Sequence, residues 1–250
     1  MNGRRHLTDK TILITGAAGL FGNILRTYWG ARYRLRLADI RPIENLASHE
    51  EYIETDIVDY GQLLSACEGA HTVVHLAAYP GDGATFYDTL LNLNIIGAYN
   101  AFEAARAAGC RRLVFASSID VVKGYWDEGE IPLDVPVYPT NLYGASKCWG
   151  EALARVYAGQ YGLSCICVRL CNPHFDQAGS WDAEEFISGI SPRDAASLLA
   201  LCVEADGIDF AVVNGISDHR HGRLNLEETR RLLGFEPEDG TSFPRGTGIS

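Results

Sequence analysis

The sequence predicts an α/β fold in which a doubly wound parallel sheet is covered by helices on both faces. Short apolar runs rich in β-branched residues alternate along the chain with stretches of helical periodicity. These apolar runs are continuous, as expected for strands that are buried on both sides of a parallel sheet. The chain has 250 residues, enough for one sizeable core, so we expect a single domain spanning residues 1–250.

Seven apolar runs account for the predicted strands. The first reads Thr-Ile-Leu-Ile-Thr, and its β-branched side chains favour an extended backbone. The others share this apolar character and are predicted at 33–38, 52–55, 72–77, 113–117, 163–170 and 210–213.

The predicted helices lie between these strands. The first has apolar side chains at Leu20, Ile24 and Leu25, which fall on one helical face. Glycines directly after residues 108, 161 and 233 favour helix termination, and Ser191 followed by Pro192 favours a helix start. The later helices are predicted at 60–67, 84–108, 142–161, 194–204 and 226–233.

A glycine-rich turn joins the first strand to the first helix with the spacing G-x-x-G-x-x-G. Gly16 permits a tight turn, Gly19 lets the backbone approach a pyrophosphate, and Gly22 lets the helix pack closely. The N–H groups at the start of that helix would face the phosphates. This strand–turn–helix unit predicts a Rossmann-type dinucleotide site; the alternative is a glycine-rich turn without a ligand.

Asp39 ends the second strand, 23 residues after Gly16. An acidic residue there accepts hydrogen bonds from the adenosine ribose hydroxyls and repels a 2′-phosphate. Arg41, two residues on, would favour that phosphate instead. We expect NAD rather than NADP.

Tyr143 and Lys147 lie four residues apart at the start of a predicted helix and therefore share one face. A phenol is a weak base, and a neighbouring ammonium is expected to lower its pKa toward working pH. Ser118, at a predicted strand end, would hold the substrate oxygen. Together with a dinucleotide site, this trio predicts removal of a proton from an alcohol while a hydride leaves the same carbon.

Composition limits the other function classes. The net charge is −11, and after Arg4–Arg5 no basic cluster exceeds two residues, which argues against nucleic-acid binding. No apolar run approaches the ~20 residues of a membrane span, and the N-terminus lacks the apolar segment of a secretory signal. Seven cysteines follow no disulfide-framework spacing. We therefore expect a cytoplasmic protein that binds neither nucleic acid nor membrane.

Cys165, Cys167 and Cys171 with His174 are the candidate metal ligands. Because two of these cysteines fall within an apolar strand, we interpret them as small buried hydrophobic residues and predict no metal site.

Two long loops follow predicted strands, on the side where ligands bind in such sheets. One spans about 123–141 and contains Trp126, and the other spans about 172–190 and contains Trp181. We assign substrate-side elements to 123–141 and 172–250, although purely decorative loops are the alternative. Residues 240–250, rich in Gly, Ser, Thr and Pro, are expected to form a loose tail.

These motifs, in this order, resemble the extended short-chain dehydrogenases/reductases, also known as the NAD-dependent epimerase/dehydratase family. The resemblance is carried by the glycine turn, Asp39, 75–78 (H-L-A-A), 94–97 (N-I-I-G), Ser117–Ser118 and Y-x-x-x-K at 143–147. It implies NAD as the cofactor and four catalytic residues, Ser118, Tyr143, Lys147 and Asn94. It also implies these cofactor-binding residues: Gly16, Ala18, Gly19, Leu20, Phe21, Gly22, Asp39, Ile40, Asp56, Ile57, Leu76, Ala77, Ala78, Asn94, Ser117, Tyr143, Lys147 and Cys171.

Within that family the runs 94–100, 103–106, 114–118 and 142–148 are most similar to the uronate dehydrogenases, which oxidise the C1 hydroxyl of a hexuronic acid to a lactone. This likeness implies substrate contacts from Pro80, Ser118, Asp120, Tyr143 and Asn172. Asp120 stands where that group commonly has His, and Pro80 where it has Ser.

The group also has an Arg after the sixth strand that holds the sugar carboxylate, but here no Arg or Lys occurs between Asn172 and Pro192. Arg193, Arg220, Arg223 and Lys123 are candidate replacements, and a neutral aldose is the other possibility. The expected activity is therefore NAD-dependent oxidation of a sugar or sugar-acid hydroxyl.

Two alternatives remain for the function. One is a sugar or nucleotide-sugar epimerase or dehydratase that recycles a tightly bound NAD, and the other is a catalytically silent NAD-sensing protein. The family resemblance also implies a homodimer formed through the helical stretches 84–108 and 142–161. A stripe of alanines would allow close helix packing there, or would pack on the sheet of the same chain: Ala101, Ala104, Ala105 and Ala108.

Overall fold

The computed structural model describes residues 10–81, 83–173, 189–217 and 223–239. The strands of these ranges are β1 (Thr11–Thr15), β2 (Arg34–Asp39), β3 (Glu50–Glu54), β4 (Thr72–His75), β5 (Arg112–Ser118), β6 (Ser164–Leu170), β7 (Asn172–Pro173), β8 (Gly189–Ile190) and β9 (Phe210–Gly215). The α-helices are α1 (Leu20–Trp29), α2 (Tyr60–Cys67), α3 (Gly97–Ala107), α4 (Leu142–Tyr161), α5 (Pro192–Glu204) and α6 (Glu227–Leu233).

Seven of the strands form one parallel sheet in the order β3-β2-β1-β4-β5-β6-β9, and β7 and β8 form a separate pair. The direction of winding reverses between β1 and β4, and the carboxyl ends of the strands flank a crevice at that point. The predicted doubly wound Rossmann-type fold is therefore confirmed.

Helices cover both faces of the sheet, and each face has its own hydrophobic core. On one face α1 packs against α5, and on the other α2, α3 and α4 pack side by side. Except for the edge strand β3, the strands of the sheet are buried over most of their length, which explains their continuous apolar sequence. Among the described residues, no helix combines the length and apolar character needed to cross a membrane.

Most predicted helices and strands match the observed ones to within two residues. The residues that were predicted to begin or end helices have the expected geometry. Ser191 Oγ accepts from Asp194 N at 3.0 Å and caps α5, while Gly162 and Gly234 adopt positive φ angles of 69° and 63° after α4 and α6. The predicted helix 84–108 differs. Its first part, Phe86–Ile96, is wound as a π-helix with a wider turn, and only Gly97–Ala107 is α-helical.

The alanine stripe on α3 lies inside the protein. Ala101, Ala104 and Ala105 are completely buried in the core on that face of the sheet, and Ala108 packs against the same core. The prediction that this stripe permits close packing with a second chain is therefore wrong, and packing within the same chain is the correct alternative.

Cys165 and Cys167 are fully buried in β6, as the sequence predicted. All seven thiols are unpaired. The described residues hold no cluster of His, Cys, Asp and Glu able to bind a metal. His174, Trp181, Arg220 and the predicted tail 240–250 lie outside the described residues.

Candidate active site

A cavity of about 740 Å³ opens at the carboxyl ends of the sheet strands. It lies where the winding reverses, which is the usual ligand position in this architecture. It is lined by nearly all residues that the sequence singled out: Gly16, Gly19, Leu20, Phe21, Asp39, Ile40, Asp56, Ile57, Leu76, Ala77, Ala78, Pro80, Ser117, Ser118, Asp120, Tyr143, Lys147, Cys171 and Asn172.

The glycine turn forms one wall of the cavity and leaves no room for side chains. Gly16 has a φ of 71°, and a Cβ on it would lie 2.8 Å from the main chain of Ala77. A Cβ on Gly22 would lie 2.2 Å from the carbonyl oxygen of Ala17, so only glycine lets α1 pack this closely on the turn. Both contacts agree with the roles predicted for these glycines.

The start of α1 offers main-chain donors for an anion. Its N-cap residue is Gly19, which has no side chain to occupy the first N–H groups of the helix, and its first turn has no acidic residue. Uncapped N–H groups at a helix N-terminus favour a phosphate, both by hydrogen bonding and through the helix dipole. This geometry fits the pyrophosphate of a dinucleotide.

Asp39 links the glycine turn to the end of β2. One carboxylate oxygen accepts from the N–H of Ala18 at 2.9 Å, and the other accepts from the N–H of Arg41 at 3.0 Å and its Nε at 3.4 Å. The carboxylate is 6% exposed and lines the cavity. Ala18 therefore acts through its main chain behind the cavity wall, whereas Arg41 lies at the rim beside the predicted ribose position.

Ser118, Tyr143 and Lys147 meet at the opposite end of the cavity. Ser118 ends β5, and both its hydroxyl and the phenol of Tyr143 line the cavity. Asn141 caps α4 by accepting from Gly144 N at 2.7 Å, and so fixes the first turn that carries Tyr143. The Nζ of Lys147, one turn later, donates to the carbonyl oxygen of Ala116 at 2.8 Å.

The pKa of Tyr143 shifts in the direction opposite to the sequence prediction. Burial raises the pKa of Tyr143, the nearby hydroxyl of Ser118 opposes this rise, and the charge of Asp120 adds to it. Burial also lowers the pKa of Lys147 to about 8. The expectation that the ammonium by itself lowers the phenol's pKa is wrong for the protein alone, because loss of solvent dominates and Nζ is engaged by Ala116.

Asn94 lies behind the cavity wall and braces two of its segments. Its side-chain oxygen accepts from Tyr79 N at 2.8 Å, and its Nδ2 donates to Tyr79 O at 3.2 Å and to Ser146 Oγ at 2.9 Å. Ser146 in turn donates to the carbonyl oxygen of Tyr143 at 2.7 Å. Asn94, Ala18 and Gly22 are thus the three predicted site residues that do not line the cavity.

His75 is a buried residue for which the sequence suggested no individual role. Its Nδ1 lies 2.8 Å from Thr15 Oγ1, and that hydroxyl accepts from the N–H of Ala77 at 3.3 Å. Burial, with a smaller contribution from the charge of Lys147, lowers the pKa of His75 to about 3. A neutral imidazole therefore supports the main chain that faces the glycine turn.

A buried ion pair joins the cofactor side to the substrate side. Arg169 on β6 donates to both oxygens of Glu151 on α4 at 2.9 Å, and Ser117 Oγ donates to the same carboxylate at 2.7 Å. Arg169 also donates to the carbonyl oxygen of Leu133 at 3.3 Å. Each charged side chain is less than 10% exposed. The network fixes β5, α4, β6 and the loop after Val122 relative to one another.

Sequence reasoning missed several residues of the cavity wall. Thr55, Ala116 and Leu170 could have been found, because each immediately precedes a predicted site residue at the end of a predicted strand. The others adjoin predicted site residues in loops or in a helix, where the sequence does not determine which neighbour faces the cavity. The missed wall residues are Thr55, Gly81, Leu93, Ala116, Leu170 and Pro173.

A comparison with protein-family models now connects this geometry to known proteins. The model of the NAD dependent epimerase/dehydratase family matches residues 12–199, which include the glycine turn, Asp39 and the Ser118–Tyr143–Lys147 trio. The chain belongs to the NAD-dependent epimerase/dehydratase family. The resemblance deduced from the motifs is confirmed, and so is NAD as the cofactor class.

Other members of this family are similar to the chain over almost its whole length. An NAD-dependent glucose-6-phosphate dehydrogenase of Haloferax volcanii is 32% identical and is matched over 94% of this chain and 95% of the relative. A uronate dehydrogenase of Agrobacterium fabrum is 34% identical over 92% of this chain and 85% of the relative. The crystal structure of a uronate dehydrogenase from Agrobacterium tumefaciens has a TM-score of 0.83 and 31% identity, covering 95% of this chain and 91% of that one.

Proposed function

We propose that this protein is an NAD-dependent dehydrogenase that oxidises the C1 hydroxyl of a small sugar or sugar acid to a lactone. The main support is that one cavity is lined by a dinucleotide cradle and by Ser118, Tyr143 and Lys147 together. Similar proteins named as uronate, glucose-6-phosphate and L-arabinose dehydrogenases support a sugar as the substrate.

The residues of the trio have separate tasks in this proposal. Ser118 orients the reacting hydroxyl, and Tyr143 takes its proton. Lys147 lines the cavity and uses one of its three donors on Ala116, which leaves donors for the hydroxyls of the nicotinamide ribose. NAD, when bound, would supply the hydride acceptor, and its positive charge would favour the phenolate of Tyr143.

The cofactor-binding residues fit NAD in three places. The uncapped start of α1 receives the pyrophosphate, and Asp39 receives the adenosine ribose. Asp56 and Ile57, after β3, line the cavity at the position expected for the adenine. Asn94 serves as a positioning residue, because its side chain braces Tyr79 and α4 instead of facing the ligand.

The segments after residue 122 and after residue 171 are proposed as the substrate side. Lys123, Asn172 and Pro173 line the cavity, which supports this assignment. In the described part of the chain, Arg193 is ion-paired with Asp239 and Glu238. Of the candidate cations, Lys123 is the one that borders the cavity among the described residues.

The decisive experiment follows NADH absorbance after mixing the protein with NAD and each of glucose, galactose, arabinose, glucuronate and galacturonate. We expect turnover with at least one sugar. The Tyr143→Phe variant should lose about 10³-fold or more in kcat, because the proton acceptor is removed, while the NAD dissociation constant changes by less than about threefold.

Tyr161→Phe is the matched control, because it makes the same change at an exposed phenol at the far end of α4 and should keep full activity. Tightly bound NAD without net NADH formation would favour an epimerase or dehydratase. Equal activity of Tyr143→Phe and the parent protein would refute the assigned role of Tyr143.

We also propose a homodimer formed through the outer faces of the π-helical segment, α3 and α4. Three large apolar side chains there, Tyr99, Trp149 and Val156, are 46%, 39% and 43% exposed. Light scattering should give twice the chain mass of 27.3 kDa, and Trp149→Glu should shift the protein toward the monomer.

The seven unpaired thiols support a reducing, cytoplasmic compartment.

A further inference from the structure

Asp120 is a carboxylate at the substrate end of the cavity. It stands on a short 3₁₀ turn, Ile119–Val121, two residues after Ser118, and its side chain is 14% exposed. Its main-chain N–H donates to Ser118 Oγ at 3.1 Å. The position of this carboxylate is therefore fixed with respect to the hydroxyl that orients the substrate.

A second contact sets the direction of the carboxylate. Asn141 Nδ2 donates to one of its oxygens, Oδ2, at 3.1 Å, while the other end of the same amide caps α4. A Cβ on Gly144 would lie 2.6 Å from the carbonyl oxygen of Asp120, so α4 packs directly on this turn. The carboxylate is preorganised by the helix that carries Tyr143, and such groups contribute to specificity without ordering costs on binding.

The other oxygen, Oδ1, remains able to accept. Its neighbour is Lys123 Nζ at 3.5 Å, longer than the 2.7–2.9 Å of a close charge-assisted hydrogen bond. Lys123 is 48% exposed, and both side chains line the cavity. An acceptor and a donor therefore lie side by side, which matches the hydroxyl groups of a sugar ring.

The charge balance here disfavours an anionic substrate. A carboxylate or phosphate placed beside Asp120 would meet a like charge, and Asp120 offsets much of the attraction of Lys123. The two other cations that line the cavity, in the part that the structure describes, are engaged elsewhere. Arg41 lies with Asp39 at the ribose end, and Lys147 donates to the main chain beneath Tyr143.

Of the remaining candidate cations, the structure describes Arg193 and Arg223, whereas Arg220 lies outside the described residues. Arg193 pairs with Asp239 and Glu238, and the guanidinium of Arg223 lies 6.0 Å from the centre of the Trp126 ring. Neither residue is part of the cavity wall. The sequence from 172 to 192 has no Arg or Lys to contribute.

We propose that Asp120 makes this cleft selective for an uncharged sugar. In this arrangement a ring hydroxyl of an aldose donates to Asp120 Oδ1 and a neighbouring oxygen accepts from Lys123 Nζ, whereas the matching sugar acid or sugar phosphate is rejected by Asp120. The inference rests on the proposed function and narrows its substrate class to neutral aldoses.

The test compares kcat/KM for matched pairs of substrates with NAD: glucose against glucuronate, galactose against galacturonate, and glucose against glucose 6-phosphate. The parent protein should prefer the neutral member by about 10-fold or more, as expected for one close like-charge contact. Asp120→Asn keeps the size and an acceptor but removes the charge. It should reduce that preference by about 10-fold, mainly through a lower KM for the anionic sugar.

Lys123→Gln is the companion variant on the exposed side of the pair. It leaves Asp120 uncompensated, so the preference for the neutral sugar should stay or increase. NAD affinity serves as the test of folding for each variant, and Asp120→Ser replaces Asp120→Asn if the latter does not bind NAD.

Three results would overturn the inference. A parent protein that oxidises the acid or phosphate more efficiently than the aldose contradicts it directly. An unchanged preference in the uncharged Asp120 variant, or a reduced preference in Lys123→Gln, removes its electrostatic basis. Absence of NADH with every sugar refutes the proposed function and this inference with it, whereas turnover with the wrong preference refutes the inference alone.

Discussion

The two ends of the cavity are built in different ways. At the dinucleotide end the wall is main chain: Gly16 packs on Ala77, and the start of α1 presents its N–H groups. At the substrate end the wall includes two charged side chains, Asp120, which Asn141 holds in place, and Lys123, which lies beside Asp120. The first end accepts a ligand common to a whole family, and the second can change its chemistry by single substitutions without disturbing the fold.

The largest expected effect comes from breaking the link between these two ends. Glu151→Gln leaves the buried guanidinium of Arg169 without its counter-charge, and we expect a loss of about 3–5 kcal/mol in unfolding free energy. Chemical denaturation monitored by tryptophan fluorescence measures this change. The pair also holds Ser117 and the carbonyl of Leu133, so both NAD and sugar binding should weaken.

The matched control for this variant is Glu228→Gln, which removes the partner of Arg231 in an exposed pair on α6. Exposed pairs contribute about 0–1 kcal/mol, so this protein should be almost as stable as the parent. Similar losses in the two variants would mean that burial does not set the importance of the Glu151–Arg169 pair.

A smaller but more local effect is expected from the glycine turn. In Gly16→Ala the new Cβ would lie 2.8 Å from the Ala77 main chain, at a φ of 71° that L-residues disfavour. We expect the NAD dissociation constant to rise by at least about 100-fold, which is about 2.7 kcal/mol. Titration of NAD by calorimetry measures this directly.

Gly69→Ala separates the two causes, because Gly69 has the same φ of 71° but open space around its Cβ position. That variant should lose about 1–2 kcal/mol of stability from backbone strain and keep its NAD affinity. If both variants bound NAD equally well, the contact between Gly16 and Ala77 would have no part in shaping the dinucleotide site.

The same contrast explains how much of the site could be predicted from the sequence. Gly16, Gly22 and Asp39 act through backbone conformation and strand position, which local sequence determines, so their places were predictable. The pairing of Glu151 with Arg169 and of Asp120 with Asn141 joins residues 18 and 21 positions apart on different elements. Local patterns carry no information on such contacts.

Prediction was also limited where burial competes with charge. The sequence shows that Tyr143 and Lys147 share a helical face, but the direction of the phenol's pKa depends on how much solvent the fold removes. The prediction that the alanine stripe on α3 contacts a second chain was wrong for a related reason. A small-residue pattern suits an internal helix contact as well as an external one. In both cases tertiary packing determines the outcome: the direction of the pKa shift for Tyr143, and the contact partner for the alanine stripe.

His75 provides the smallest effect and tests whether the main-chain wall depends on a neutral buried imidazole. Its pKa is about 3 in the folded protein and near 6.5 when unfolded, so the unfolded chain binds the extra proton between these values. Stability from this group is therefore complete above pH 6.5 and decreases as the pH falls toward 3. We expect a loss of about 2 kcal/mol between pH 7 and pH 5 from this residue.

Urea denaturation of the parent protein and of His75→Asn at pH 7 and pH 5 measures this contribution, because asparagine does not titrate and still offers a hydrogen-bond partner to Thr15. The variant should lose most of the pH dependence. His71→Asn, at a half-buried histidine directly before β4, should retain most of it, although burial lowers the pKa of His71 as well. An equal pH dependence in all three proteins would show that the imidazole is accessible to protons in the folded state. The wall facing Gly16 would then be held by the Thr15 hydroxyl and the strand hydrogen bonds, without a contribution from a neutral histidine.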